Sequence, residues 1–184
     1  MKHQDSELIA KVLLNKDQRS FGLLVKRYQQ DIRQYCRRLA APDFSIADDI
    51  AQETFMQAFN KIHLFEGKGK FISWLFRIAY FQYLQYLRSL KRFDLLDSDE
   101  HVSPENQDLA LTSDLEKAMA QLKVNERTCI TLQYSFGYTQ EEISRLIDLP
   151  LGTVKSHVKR GKLKLTQILQ VDSDSSHQNL NGAA

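Results

Sequence analysis

The sequence predicts an all-α fold made of two small helical domains joined by a flexible acidic linker. Apolar residues recur at spacings of three and four along most of the chain, which is the pattern of amphipathic helices. Only seven glycines and three prolines interrupt its 184 residues, and no segment shows the apolar–polar alternation of strands between turn signals. Residues 93–112 lose the helical period and become acidic around Pro104, which is typical of a linker.

The net charge of +2 conceals a strong segregation of charge along the chain. Residues 61–92 contain seven Lys or Arg and one acid, whereas residues 93–116 contain eight acids and no Lys or Arg. This division suits a protein with an anionic partner. Cys36 and Cys129 lie on apolar helical faces, which indicates reduced, buried thiols in a cytoplasmic protein and no metal site or cofactor. No signal peptide or apolar run of membrane-spanning length is recognised.

The first domain, residues 1–92, is predicted to begin with helices at 5–14 and 18–41, the second ended by Pro42. A third helix at 46–62, capped by Ser45, places acidic and amide side chains on one exposed face. From its period alone this face is a solvated surface. This acidic face consists of Asp48, Asp49, Gln52 and Glu53. The residues that follow the third helix, 63–70, include two glycines and form a loop.

The fourth helix, 70–92, holds seven of the eighteen aromatic residues of the chain. A helix buries about a third to a half of its circumference in a core, so these rings cannot all lie on one inner stripe. Trp74 is predicted to pack in the core. For Tyr80 and Tyr83 two possibilities stay open, because such rings either join the core or stack on unpaired bases beside cationic side chains.

The second domain, residues 113–170, is predicted to begin with helices at 113–122, where Ser113 and Glu116 form a capping box, and at 125–136. A second capping box, Thr139 with Glu142, starts a short amphipathic helix, which ends at Asp148-Leu149-Pro150. The helix that starts near Leu151 carries five Lys or Arg and no acid from 152 to 171. This arrangement predicts a helix-turn-helix whose second helix fits the major groove of DNA.

Two further interpretations concern the end of the chain. A surface helical hairpin with a solvated lysine face is the alternative to the helix-turn-helix. Residues 171–184 are polar and small, and they are predicted to be a disordered tail.

Three segments resemble the motifs of bacterial RNA polymerase sigma factors, in the order and at the spacing of that family. They are DDIAQETF at 48–55, FISWLFRIA at 71–79 and LPLGTVKS at 149–156. The chain is too short for the additional domains of housekeeping sigma factors. It therefore resembles the extracytoplasmic-function (ECF) group of the sigma-70 family, over roughly residues 6–92 and 113–169.

The resemblance implies an alternative sigma factor, not an enzyme, that binds core RNA polymerase, recognises promoter DNA and promotes strand opening for transcription initiation. The implied partners are the clamp helices and flap of the polymerase and promoter DNA, and the family admits an anti-sigma factor. The implied polymerase-binding residues are Asp48, Asp49, Gln52, Glu53 and Phe55. Those implied for the minus-ten element and melting are Lys68, Lys70, Arg77, Tyr80, Phe81, Tyr83 and Arg88. Those implied for the minus-thirty-five element are Thr153, Lys155, Ser156, His157, Lys159 and Arg160.

The chain departs from the family pattern at four positions. Phe81 and Gln85 stand where the family commonly has Asn and Asp, and His157 replaces a usual Arg. Gly161 replaces a usual Ala, which costs about 1 kcal/mol of helix stability and predicts a close backbone approach.

Two other classes of protein are weaker matches. TVKSH followed by KL also resembles the helix-turn-helix of LuxR-type regulators, but that class requires an upstream α/β domain. An enzyme would require a metal-ligand cluster, a nucleophile elbow or a phosphate-binding loop, and the sequence contains none of these motifs.

Overall fold

The computed structural model describes residues 2–94 and 114–178, and the side chains within 5–90 and 114–170. All regular structure in these residues is helical, and the helices form two compact units. The first unit contains α1 (Lys2–Asn15), α2 (Gln18–Ala40), α3 (Phe44–Lys61) and α4 (Phe71–Asp94). The second contains α5 (Asp114–Ala120), α6 (Val124–Ile130), α7 (Gln140–Ile147) and α8 (Leu151–Gln178). The predicted all-α fold with two helical domains is confirmed.

Part of the prediction concerns residues that the structure does not describe. Within the predicted linker, 93–112, only the first two residues are described, as the end of α4. The predicted cap at Ser113 also lies outside the described residues. Among the described helices, none is both long and apolar enough to cross a membrane.

In the first unit α2 packs against α1, α3 and α4. Its apolar stripe, which includes Leu24, Ile32 and Tyr35, is buried. The rings of Tyr35 and Phe76 of α4 meet with centroids 4.7 Å apart. Full burial of a side chain of this size stabilises the fold by about 1.5–3 kcal/mol, so this stripe holds the unit together.

The boundaries of α3 differ slightly from the prediction. It begins at Phe44, so Ser45 lies inside the first turn and does not precede the helix as a cap. A 3-10 turn, Ile62–Leu64, follows α3 before the predicted loop. Gly67 and Gly69 in this loop have φ angles of 71° and 127°, which glycine adopts without the steric cost of a Cβ.

In the second unit α8 packs against α5, α6 and α7. The predicted helix at 125–136 forms as α6 followed directly by a π-helical turn, Thr131–Ser135, which the sequence pattern did not indicate. Ile143 and Ile147 of α7 and Val154 of α8 are fully or almost fully buried, so one small core joins the helices of the predicted helix-turn-helix.

The turn between α7 and α8 forms as predicted. Thr139 Oγ1 accepts a hydrogen bond from the Glu142 N–H at 3.2 Å, and the Glu142 carboxylate accepts one from the Thr139 N–H at 2.8 Å. Asp148 ends α7 in the left-handed conformation with φ 59°, which Asp tolerates better than most residues. The carbonyl of Pro150 then accepts the N–H groups of Thr153 and Val154 in the first turn of α8.

The helix α8 continues to Gln178, so the predicted disordered tail is wrong for the backbone of residues 171–178. No Gly or Pro occurs there, and extending an existing helix avoids the cost of nucleating a new one. The remaining tail, 179–184, lies outside the described residues.

Candidate functional site

An open groove with a volume of about 630 Å³ lies between α2 and α3 of the first unit. Apolar side chains of α3 form much of one wall, with carboxylates and an amide at one end. The rings of Phe21 and Phe59 support the groove with an edge-to-face contact at 5.0 Å. Its lining residues include Gly22, Val25 and Arg33 of α2, and Asp48, Asp49, Gln52, Phe55, Met56 and Phe59 of α3.

The carboxylates of Asp48 and Asp49 are exposed, and neither forms an ion pair within the described residues. Further along the same groove, Met56 is an exposed apolar side chain. A groove of this kind can bind a helix that offers cations to the carboxylates and apolar side chains to its wall.

The structure brings together four of the five residues predicted for polymerase binding. Asp48, Asp49, Gln52 and Phe55 all line the groove. Glu53 does not, and its carboxylate instead accepts a hydrogen bond at 2.7 Å from Gln57 on the same helix. The prediction missed Met56, although the spacing from residue 49 through 52 to 56 follows one helical face.

An aromatic cluster lies where the loop at 65–70 joins α4. The ring centroids of Phe65, Phe71 and Trp74 lie 5.3–5.6 Å apart. Lys68 and Lys70, both predicted to contact DNA, are exposed in this loop. Lys68 pairs with Glu66 at 2.7 Å, an exposed contact that contributes little stability.

Tyr80 and Tyr83 are buried, with exposed fractions of 2% and 6%. Their burial places both rings in the core, which is the first of the two possibilities that the sequence leaves open, and their implied contact with the minus-ten strand stays a prediction. Since α4 packs against both α2 and α3, it buries a wider part of its circumference than a helix with one neighbour.

Among the rings of α4 whose side chains are described, Phe81 is exposed, at 37%. The Arg77 guanidinium lies 4.9 Å from its centroid, within the range of a cation–π interaction. Arg88 is exposed further along the helix. Of the α4 residues predicted to contact DNA, Phe81 and Arg88 are therefore exposed, and Arg77 is half-buried.

The cations of α8 fall into two groups. Lys155, Lys159 and Lys162 are exposed, and none of them forms an ion pair within the described part of the chain. Arg160 and Lys164 instead pair with the carboxylate of Glu126 on α6, at 3.3 Å and 2.7 Å. Glu126 is only 1% exposed.

The ion pairs keep Glu126 ionised. Burial raises the pKa of its carboxyl, but hydrogen bonds from Lys164 and from the Lys123 N–H, together with the charge of Lys164, outweigh burial and lower the pKa below its usual range. Burial and the charge of Arg160 lower the pKa of His157, which is therefore neutral at pH 7. Because a guanidinium only donates, His157 Nδ1 accepts from Arg160 Nη2 at 3.0 Å.

The six residues predicted for the minus-thirty-five element do not share one environment. Lys155, Ser156 and Lys159 are exposed, Thr153 and His157 are half-buried, and Arg160 is held by Glu126. The prediction omitted Lys162, three residues after Lys159 on the same flank. It also missed Glu126, because its partner α8 lies more than thirty residues away and no local pattern marks such a pair.

The close approach expected at Gly161 occurs against α6. A Cβ at Gly161 would lie 2.8 Å from Ile130 Cγ1 and 3.5 Å from Glu126 Cβ. This absence of a side chain allows α8 to lie close enough for both ion pairs with Glu126.

The two cysteines fit no reactive site. Both are buried, and burial raises the pKa of each thiol to about 12. Among the described side chains, no three His, Cys, Asp or Glu residues are grouped as metal ligands.

Two family descriptions match the chain, one in each unit. Sigma-70 region 2 matches residues 24–93 and Sigma-70, region 4 matches residues 112–165. The ECF RNA polymerase sigma-E factor of Haemophilus influenzae is 31% identical over 173 residues, which cover 84% of this chain and 89% of that protein. The ECF RNA polymerase sigma factor SigW of Bacillus subtilis is 30% identical over 171 residues, covering 84% and 91%.

Two solved structures are also similar. The sigma factor RpoE from Bartonella quintana, in complex with the anti-sigma factor NepR, has a TM-score of 0.68 and 26% identity over 83% of this chain and 98% of that chain. CnrH, in complex with the cytosolic domain of CnrY, has a TM-score of 0.65 and 27% identity, covering 92% and 99%.

These matches define a sigma factor that acts in transcription initiation. The chain belongs to the extracytoplasmic-function group of the sigma-70 family. The predicted family is confirmed, and nothing in these matches supports the LuxR-type alternative.

Proposed function

We propose that each unit of this alternative sigma factor makes its own kind of contact. The first unit binds core RNA polymerase through the groove between α2 and α3 and holds the melted minus-ten strand along α4. The second unit binds the duplex of the minus-thirty-five element with α8. The observation that carries this proposal is the contrast between two surfaces, a groove with exposed carboxylates in one unit and a helix with exposed lysines in the other.

The groove suits the clamp helices of the polymerase. Exposed ion pairs contribute only about 0.2–1 kcal/mol each, so Asp48 and Asp49 orient the partner more than they hold it. Phe55 and Met56 offer apolar surface, whose burial contributes about 25 cal/mol per Å². For the second unit we propose contact with the flap through surface away from the exposed lysines of α8.

The exposed lysines of α8 suit duplex DNA. Each phosphate that a cation neutralises releases condensed counterions, which favours binding and makes it dependent on salt. Lys155, Lys159 and Lys162 follow one flank at spacings of four and three, and Ser156 adds an exposed hydroxyl that can contact a base edge or a phosphate.

On the first unit, the loop at 65–70 and α4 suit the melted strand. Base–aromatic stacking contributes about 1–3 kcal/mol per base, which offsets the cost of unstacking. Phe81 is exposed, Arg77 lies against it, and Lys68, Lys70 and Arg88 supply cations for phosphates.

The similar proteins support two further parts of the proposal, control by an anti-sigma factor and a regulatory role in the cytoplasm. RpoE and CnrH were solved with an anti-sigma factor and with the cytosolic domain of CnrY, and we infer that an anti-sigma factor controls this chain as well. Since its partner is core RNA polymerase, it acts in the cytoplasm as a regulatory subunit without catalytic activity of its own.

The test compares two sets of variants in binding to core polymerase and to promoter duplex. Asp49→Lys with Met56→Lys should abolish co-elution with the polymerase, because both changes repel a cationic helix from the groove. Lys155→Glu with Lys159→Glu should retain co-elution but weaken duplex binding by about a hundredfold, since two attractions become repulsions.

Each set has a matched control. Gln30→Lys with Asn60→Lys adds cations to exposed positions of α2 and α3 that do not line the groove, and co-elution should persist. Lys117→Glu reverses an exposed charge on α5 and should leave duplex binding nearly unchanged. Co-elution of the groove variant, or its loss in the α8 variant, would contradict the division of labour between the units.

A further inference from the structure

The Glu126 carboxylate is unusual because it is almost fully buried and yet holds two cations of the DNA-binding helix. Oε1 accepts from Arg160 Nε at 3.3 Å, and Oε2 accepts from Lys164 Nζ at 2.7 Å. Oε2 also accepts from the Lys123 backbone N–H at 3.2 Å, within the capping box of α6. Both oxygens therefore have partners that α6 and α8 fix in place.

Because Glu126 is buried, its ion-pair partners cannot leave it for a DNA phosphate without a cost in stability. A buried carboxylate without partners is strongly destabilising, because water cannot solvate it. If Lys164 moved to a phosphate, Glu126 would lose its shortest ion pair. Lys155, Lys159 and Lys162 have no such partner among the described residues, so they can bind phosphate at no cost to the fold.

Arg160 is held on two sides. Its Nε contacts Glu126, and its Nη2 donates to His157 Nδ1 at 3.0 Å, while 53% of its side chain stays exposed. A guanidinium fixed in this way presents its remaining N–H groups in one direction. Such a group can meet a base edge in one geometry, whereas a mobile cation meets phosphates in many.

We propose that Glu126 is a positioning residue that determines which cations of α8 contact DNA phosphate. It withholds Lys164 from phosphate and orients Arg160, and this leaves Lys155, Lys159 and Lys162 as the phosphate ligands. The proposal rests on the proposed binding of duplex DNA by α8.

The test measures how binding to a random-sequence duplex depends on salt, using the full chain and fluorescence anisotropy over a range of KCl concentrations. Each phosphate contact adds about 0.9 to the slope of log K against log salt. Lys162→Met should therefore reduce the slope by about 0.9, and Lys164→Met, the matched variant two residues along, should leave it unchanged.

The third variant, Glu126→Gln, removes the charge and retains an oxygen that can accept hydrogen bonds. It should steepen the slope by about 0.9 to 1.8, because one or both released cations reach phosphate. A purely structural role for Glu126 predicts weaker binding and no steeper slope. Circular dichroism establishes whether this variant is folded. If it is not, the comparison of Lys162→Met with Lys164→Met decides whether Lys164 is withheld from phosphate.

The outcomes separate this proposal from the one on which it depends. If Lys164→Met reduces the slope as much as Lys162→Met, or if folded Glu126→Gln leaves the slope unchanged, the role of Glu126 is overturned while DNA binding by α8 stands. If the wild-type chain shows no salt-dependent binding, or no lysine variant changes it, DNA binding by α8 is overturned as well.

Discussion

The helices α4 and α8 carry most of the residues that are predicted to contact DNA, but they present them differently. On α4 the aromatic rings divide between core and surface, with Tyr80 and Tyr83 buried and Phe81 exposed. On α8 the lysines at 155, 159 and 162 are all exposed. Aromatic side chains pack well in a core and also bind ligands, whereas lysines are almost never fully buried without a partner.

Residue type alone therefore locates a binding surface better for lysines than for aromatic side chains. On α8 even the two cations that pair with buried Glu126 stay partly exposed, with 53% of the Arg160 side chain and 38% of the Lys164 side chain accessible to solvent. An aromatic side chain on a helix can be either buried or exposed, because its environment depends on how many other helices pack against that helix.

The largest effect on stability is expected for Tyr80→Ala. Truncation of a buried ring of this size typically destabilises a protein by about 3–5 kcal/mol, because it leaves a cavity. Urea unfolding followed by Trp74 fluorescence measures this effect, since the only tryptophan of the chain lies in the first unit. A loss below about 1 kcal/mol would instead place the ring at the surface, where it could stack on unpaired bases.

The neighbouring substitution Phe81→Ala should act on function rather than on stability. Loss of one base-stacking contact slows strand opening by about fivefold to a hundredfold, while stability should change by less than about 1 kcal/mol. Stopped-flow fluorescence of a promoter with 2-aminopurine in the minus-ten element measures the opening rate. Phe81→Tyr keeps a ring and serves as the control. An unchanged opening rate in Phe81→Ala would remove this residue from the site.

A smaller loss of stability is expected for Gly161→Ala. The added Cβ would lie 2.8 Å from Ile130 Cγ1, and overpacking costs about 1–3 kcal/mol, of which the better helix propensity of alanine recovers about 1. Gly152→Ala is the control, because a Cβ there meets nothing within 4 Å. Urea unfolding followed by circular dichroism compares them. Equal stabilisation by both would contradict the close contact.

The smallest effect is expected for the stability of the folded chain at acidic pH. Because the folded state lowers the pKa of Glu126, its stabilising contribution is complete above the ordinary glutamate value of about 4.3 and is lost as pH falls through the folded-state pKa. Each unit of difference between the two values corresponds to about 1.4 kcal/mol. Amide hydrogen exchange in α6 and α8 between pH 3 and 6 measures this loss. Glu126→Gln should remove the part of the pH dependence that this group contributes.

Much of the fold could be predicted because its signals are local. The capping box at Thr139 and Glu142 and the stop at Asp148 involve residues a few positions apart, and each formed as expected. What the sequence could not decide depends on long-range packing. The pattern on α4 could not show that two helices would cover it, so the sequence left open whether Tyr80 and Tyr83 join the core, and the structure buries both.

The candidate sites also combine local features, which the sequence shows, with long-range contacts, which it does not. The acidic face of α3 could be predicted from one helical period, but the opposite wall of the groove belongs to α2, which no motif connected to it. The sequence shows that α8 is rich in Lys and Arg, but the predicted site omits Lys162, and the division of these cations into two groups depends on Glu126. That division became visible only when α6 and α8 were placed side by side.

The contact between Gly161 and Ile130 also constrains how this protein could diverge. Any larger residue at position 161 meets the branched side chain at position 130, so a change at one site favours a compensating change at the other. Descendants that acquire alanine at 161 should therefore carry a smaller residue at 130, and the two positions should evolve as a pair.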